Sequence, residues 1–399
     1  MSGLSVISRR TRTARTAAIA GLLAACAALA GCAAPTQTPT PLPPAPTGSA
    51  TEPEAAIGPV QPAGTPTDVT TGLDLPWSIA FTADGVALVS ERDTALVKEV
   101  APDGSVREVG RVPDVVPGGE GGLLGLAIPE AAPASAPIYL YAYTTASSDN
   151  RIVRMPLAGV AGSYSLGAPE VVLSGIRKAA NHNGGRIKFG PDGMLYATTG
   201  DAGTISSSQD PESFNGKILR MTADGAVPTD NPTPGSLVYS LGHRNPQGIA
   251  WDADGQLWAA EFGQNTWDEF NRITPGANYG WPVVEGIGDD SAYVNPAYQW
   301  ATSEASPSGL AFTRDTFFLA ALRGERVWAL YPVASADLPS SRQGVSAVPY
   351  LQGQYGRIRD IAPAPDGSIW ILTSNTGRDQ LREGDDRIVR VQLAPVVAG

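Results

Sequence analysis

An all-β chain, a six-bladed β-propeller, is what this sequence predicts, and three observations carry the prediction. One phrase returns six times beyond Asp68: a short apolar strand start, a polar turn, then a second apolar strand. Asp-Gly or Asp turns punctuate it, and those at Asp192, Asp254, Asp315 and Asp366 stand 62, 61 and 51 residues apart, with Asp84 a further 108 residues, or two such units, before Asp192. Nothing in between reads as a long amphipathic helix. A period of this size built from hairpin turns marks propeller blades, whereas a β-sandwich gives turn signals every ~8 to 12 residues with no longer period.

Taken in order, the first blade reads Ser78-Ile79-Ala80-Phe81, the turn Asp84-Gly85, then Val86 to Val89. Gly125-Leu126-Ala127-Ile128 and Ile138 to Tyr141 repeat it without the Asp-Gly turn. Arg186 to Phe189 with Met194 to Thr198, and Gly248 to Trp251 with Gln256 to Ala260, form the third and fourth copies. Gly309 to Phe312 with Phe317 to Leu319, and Asp360 to Ala362 with Ile369 to Leu372, complete six.

The N-terminus reads as an export signal rather than part of the fold. Arg9, Arg10, Arg12 and Arg15 precede an apolar run from Ala17 to Ala30, which ends in Leu29-Ala30-Gly31-Cys32, a pattern that resembles a bacterial lipobox. A basic segment, a short apolar one and small residues before a cut describe a signal peptide over residues 1–31, too short for a membrane span. Cys32 is then expected to be the lipidated first residue of an exported protein anchored to the outer face of the cell membrane. Ser8-Arg9-Arg10 hints at twin-arginine export. Residues 33–67 carry ten prolines among Thr, Ala and Gly, a composition that fills no core and reads as an extended tether. The propeller is expected over residues 68–396.

Cys26 lies inside the signal, so the mature chain keeps at most Cys32 and forms no internal disulfide. Removing the four signal arginines takes the formal charge from -11 to -15, and only four lysines exist in the whole chain. An acidic chain of this kind argues against nucleic acid as a partner.

Equivalent positions of a propeller repeat surround one axis, so residues in the same register converge although they lie far apart in sequence. The register just before each first strand holds the unusual residues: Glu120, Asn181-His182-Asn183, His243-Arg244-Asn245-Pro246-Gln247, Ser306-Pro307-Ser308, and Arg357-Ile358-Arg359. Like charges so gathered repel unless an anion joins them. Arginine forks suit carboxylates or phosphates. The chain has only two histidines, His182 and His243, so candidates for proton transfer near neutral pH are few.

At these positions the chain resembles the soluble quinoprotein sugar dehydrogenases, six-bladed propellers that bind pyrroloquinoline quinone (PQQ) with calcium and oxidise aldoses to lactones. The similarity runs from about Leu75 to Arg390 and rests on Leu75 to Phe81, Glu120 to Gly125, His182 to Asp201, Gly242 to Gly248, Asp268-Glu269, Asn278 to Pro282, Pro307 to Gly309 and Arg357 to Asp360. It implies that His182 is the general base that removes the proton of the sugar's anomeric hydroxyl as hydride passes to the quinone. It implies further that Arg244 and Asn245 contact the quinone edge and that Arg323, Arg357 and Arg359 hold the cofactor carboxylates. Calcium, a hard cation that takes oxygen ligands, is expected on the backbone carbonyls of Gly263 and Gln264. Glu120 replaces a glutamine common in glucose-oxidising members, Asn181 an aspartate, Arg323 a lysine and Gln264 a proline. Glu120 and Asn181 therefore alter the sugar contacts, Glu120 also facing the cofactor, and a preference for glucose does not transfer. Tyr298 and Trp300 are expected on the sugar side. His243 is expected to pack under the turn that presents Arg244, and Asp268 with Glu269 to brace the loop of Gly263 and Gln264. The physiological electron acceptor is left open by the sequence.

Two other readings compete: a calcium-dependent lactonase-type hydrolase and a non-catalytic ligand-binding propeller. The arginine-rich axis disfavours a bare metal, and His182 among arginines disfavours the second.

Overall fold

The structure, a computed structural model, describes residues 58–129, 137–332, 344–376 and 381–396. The signal segment and the lipidation position Cys32 lie outside the described residues. Blade one is β2 (Pro76–Phe81), β3 (Ala87–Glu91), β4 (Leu96–Val100) and β5 (Val106–Arg111). Blade two is β6 (Leu123–Ala127), β7 (Tyr139–Thr145), β8 (Asn150–Ala158), β9 (Ser165–Leu166) and β10 (Glu170–Ile176). Blade three is β11 (Ile187–Phe189), β12 (Leu195–Thr199), β13 (Lys217–Met221) and β14 (Val238–Leu241), and blade four is β15 (Pro246–Trp251), β16 (Leu257–Glu261), β17 (Trp267–Arg272) and β18 (Tyr298–Ala301). Blade five is β19 (Pro307–Thr313), β20 (Thr316–Ala321), β21 (Arg326–Pro332) and β22 (Val345–Tyr350). Blade six joins β23 (Ile358–Pro363), β24 (Ile369–Thr373) and β25 (Ile388–Pro395) to β1 (Val60–Thr70). The only helical element among the described residues is a 3-10 turn at Ile205–Ser208.

All six sheets are antiparallel, and every strand pair expected from the repeat is present. The tether reading is corrected at its end. Chain order gives blade six only three strands of its own, and Val60 to Thr70 supplies the fourth, pairing antiparallel to β25 from Val60↔Pro395 to Thr70↔Ile388. Proline concealed this strand. Pro62 and Pro66 are tolerated because β1 is an outer strand bonded on one side, and the register slips between Ala63 and Thr67.

The hydrophobic core lies between adjacent blades. Tyr141 meets Phe189 edge-on across blades two and three, Trp258 and Phe270 meet Phe317 across four and five, and Phe81 meets Trp370 across one and six. The turn of blade five contains no glycine. Arg314 and Asp315 both take positive φ, +46° and +55°, the type I′ geometry that a two-residue hairpin requires and that Asp tolerates.

Candidate functional site

Successive strands of a blade run in opposite directions, so the loop entering the first strand and the loop leaving the second open on the same face. Together these loops wall a cavity of about 400 Å³. The entering loops and the first residues of the first strands contribute Leu75, Trp77, Glu120, Asn181, Gln247, Arg357 and Arg359, and the leaving loops contribute Arg92, Phe262, Leu322, Ser374 and Thr376. Register alone finds Glu120, Asn181, Gln247, Arg357 and Arg359, while Leu75 and Trp77 belong to the motif Leu75 to Phe81 that carries the resemblance. The second group was missed because only the positions before each first strand were compared.

Three guanidinium groups, Arg92, Arg357 and Arg359, thus meet at one cavity. Arg359 Nη1 donates to Gln247 Oε1 at 2.8 Å and to Ser308 Oγ at 3.3 Å, while its buried Nε finds no acceptor. Burial, reinforced by Arg357 and Arg92 and opposed by Glu120, brings Arg359 down to about 9. The ring of Trp77 meets both Arg359 and Arg186, whose guanidinium carbons stand 5.8 and 4.3 Å from its centroid. Arg186 is fully buried and donates from Nη1 to Asp360 Oδ2 at 2.8 Å. Asp360 is thereby committed to the channel and leaves the Arg359 charge for something else to answer.

His182 follows the wall residue Asn181, and its backbone is held on both sides. Its N–H donates to Glu120 Oε2 at 2.9 Å, and its carbonyl accepts from Ala202 N at 3.2 Å. A side chain at Gly200 would place its Cβ 2.0 Å from the His182 carbonyl oxygen, so only glycine lets strand β12 end so close to this loop. His182 has φ of +56°, a conformation uncommon for a residue with a side chain and one that clusters at functional sites. Its Nδ1 lies 2.7 Å from Asp201 Oδ1. Asp201 also accepts from Gly203 N at 2.8 Å and, on its other oxygen, from Trp281 Nε1 at 2.9 Å. Burial works to raise Asp201, but the hydrogen bonds from His182, Gly203 and Trp281 hold it below the ordinary carboxylate range. An ionised acceptor at Nδ1 fixes the proton there in the neutral imidazole and leaves Nε2 as the acceptor. Asp201, in the run Gly200-Asp201-Ala202-Gly203 that leaves β12, was not assigned a role from sequence. A carboxylate between glycines in a leaving loop was the available signal.

His243 is fully buried. Its Nε2 lies 2.8 Å from Ser240 Oγ, its Nδ1 3.1 Å from Glu261 Oε1, and its ring stacks on Tyr279 at 4.8 Å. Glu261 Oε2 accepts the Arg244 N–H at 2.9 Å, so this histidine supports the Arg244 turn from beneath. Arg244 does not line the cavity; its Nη1 reaches the Phe262 carbonyl at 3.2 Å and burial lowers its guanidinium. Burial and then Glu261 push Glu269 up to about 8. A carboxyl raised in the fold stabilises it fully below the unfolded value and loses that contribution as pH rises through the folded one. The contribution of Glu269 to thermal stability should therefore be lost between pH ~4.5 and ~8, and Glu269→Gln should remove that part of the slope from melting curves recorded across the range. An unchanged slope would refute the assignment.

The loop of Gly263 and Gln264 is organised through its N–H groups. Asp268 Oδ1 accepts from Gly263 at 2.9 Å, and its Oδ2 from Ser306 at 2.5 Å. Glu285 Oε1 gathers the N–H groups of Gln264, Asn265, Thr266 and Trp267 at 2.6 to 3.3 Å. The bracing expected of Glu269 thus comes from Glu285, because Glu269 is engaged by Gly286 N and Asn271 Nδ2. Among the described residues no donor takes the Gly263 and Gln264 carbonyls, and no cluster of three or more His, Cys, Asp or Glu side chains could hold a metal.

Four further expected site residues stand, like Arg244, outside the cavity wall. Trp300 and Tyr298 belong to the outer strand β18, where Trp300 is 2% exposed and packs on Trp328; the alternation of a strand, not a sugar, explains these aromatics. Asn245 is buried and its Oδ1 accepts the Gly184 N–H at 3.0 Å, pinning blade three to blade four. Arg323 is exposed, and its neighbour Leu322 takes the place on the wall.

The family model for glucose/sorbosone dehydrogenases matches residues 73–382. Quinoprotein glucose dehydrogenase B of Acinetobacter calcoaceticus is 32% identical over 269 residues, 59% of this chain and 56% of that protein. Aldose sugar dehydrogenase YliI of Escherichia coli (strain K12) is 29% identical over 348 residues, 78% of this chain and 90% of that protein. Among solved structures, the PQQ-bound aldose sugar dehydrogenase of Streptomyces coelicolor superposes with a TM-score of 0.77 at 48% identity, covering 85% of this chain and 99% of that one.

Proposed function

The chain belongs to the glucose/sorbosone dehydrogenase family, and from that membership we propose that it oxidises aldose sugars at the anomeric carbon to lactones with PQQ and calcium. The observation that carries the reading is the His182–Asp201 pair beside a cavity walled by Arg92, Arg357 and Arg359. A tricarboxylate such as PQQ suits that wall, since three guanidinium groups meet there and the buried Nε of Arg359 lacks an acceptor. Arg357 and Arg359, with Arg92, would hold the carboxylates. When bound, the cofactor supplies a two-electron acceptor for hydride.

The protein's own part is proton transfer and orientation. Asp201 holds His182 with Nε2 as acceptor, so this nitrogen takes the proton of the anomeric hydroxyl, and the imidazolium that results is stabilised by the same carboxylate. Glu120, which grips the His182 backbone, and Asn181 line the wall and select among sugar hydroxyls. Trp77 and Phe262 give the cavity apolar faces that limit water. The Gly263 and Gln264 carbonyls would hold a calcium ion, in keeping with a donor set made of backbone oxygen rather than carboxylate. We also propose, from the sequence of residues 1–32 alone, that the protein is exported and anchored to the membrane through a lipid on Cys32.

Purified apoprotein mixed with PQQ and calcium should bind the cofactor and reduce an electron-accepting dye with a panel of aldoses. Absence of both cofactor binding and reduction would sink the proposal, and lactone hydrolysis without PQQ would favour the hydrolase reading.

A further inference from the structure

Asp201 has two oxygens, and only one is occupied by the His182 ring and Gly203. The other accepts from Trp281 Nε1 at 2.9 Å. Trp281 is itself fixed: its N–H donates to the Gly242 carbonyl, its carbonyl accepts from Gln209 Nε2 at 2.7 Å, and the Arg244 guanidinium carbon lies 5.5 Å from its ring centroid. Trp281 is 8% exposed and does not line the cavity. The charged groups around the pair are Arg244, which faces the indole, and Glu120, which holds the His182 backbone.

We infer that Trp281 is a positioning residue for proton transfer, its indole N–H setting both the orientation and the basicity of Asp201 and, through it, of His182. The inference rests on the reading of His182 as the base. A donor on the second oxygen disperses the carboxylate charge, so Asp201 binds the His182 N–H without claiming its proton. Without the indole N–H, a buried carboxylate with one donor fewer becomes more basic, and the pair takes up its first proton at a higher pH.

Because the chain has two histidines, ring ¹⁵N resonances of the labelled full chain separate into two sets, and His182→Gln assigns them. In the wild type the His182 set should report the Nδ1–H tautomer. In Trp281→Phe, which keeps a ring beneath Arg244, the midpoint of the first protonation should rise by about 0.5 to 1 unit, while the His243 set stays in its folded position. Trp281→Tyr is titrated alongside, so that one poorly folded variant does not end the test. A midpoint within about 0.2 unit of the wild type in a folded variant would overturn the role of Trp281. The base reading fails separately, through His182→Ala turning over normally, and the titration decides Trp281 either way.

Discussion

Replacing His182 by alanine should lower the rate of sugar oxidation by roughly 10²- to 10⁴-fold and leave cofactor binding in place. The two effects separate because the cationic wall of the cavity comes from Arg92, Arg357 and Arg359, none of which hydrogen-bonds the imidazole. The loss should appear in the reduction of bound cofactor followed in a stopped-flow instrument, where later electron transfer to the dye plays no part. An added small base such as imidazole should restore part of the rate. Turnover equal to wild type would refute the role of His182, and loss of cofactor together with turnover would make it a structural residue instead.

Arg359→Met should act with opposite signs on the empty and the loaded protein. The guanidinium is buried with one N–H unpartnered and its proton affinity reduced to about 9, so in the absence of an anion it carries a desolvation cost. A basic group lowered in the fold burdens stability in full below its folded value and stops doing so above its unfolded one. Removing it should therefore leave the apoprotein as stable as the wild type or more so, since an unpaired buried charge replaced by an apolar chain of similar length is neutral or stabilising. Binding of a polycarboxylate cofactor should weaken by about 2 to 5 kcal/mol, or ~30-fold to several thousand-fold. Isothermal titration with PQQ and a melting curve of the apoprotein test both halves. Unchanged affinity would remove Arg359 from the cofactor site.

The blades were legible in the sequence because each hairpin is local: Asp192-Gly193 turns a strand that pairs within ten residues, and alternation does the rest. Residues before the first strands were legible for the same reason, and Glu120, Asn181, Arg357 and Arg359 do meet at one cavity. Arg92, Asp201 and Phe262 were not, since finding them requires the antiparallel return of the second strand to the same face. Tyr298 and Trp300 misled because an aromatic in an outer strand looks, one residue at a time, like an aromatic in a binding loop. Arg323 was placed one position from Leu322, which shows how finely a wall residue must be registered.

The pairing of β1 with β25 joins the two ends of the described chain. Five blades are each complete once their own stretch of chain exists, whereas the sixth needs Val60 and Pro395 together, a closure that costs more loop entropy than any hairpin of the repeat. Arg359 and Asp360 belong to that last blade, yet they meet Trp77 of the first blade and Arg186 of the third. Blade six supplies Arg357, Arg359, Ser374 and Thr376 to the cavity wall, so its cationic side is complete only where the last blade meets the first, which brings Leu75, Trp77 and Arg92.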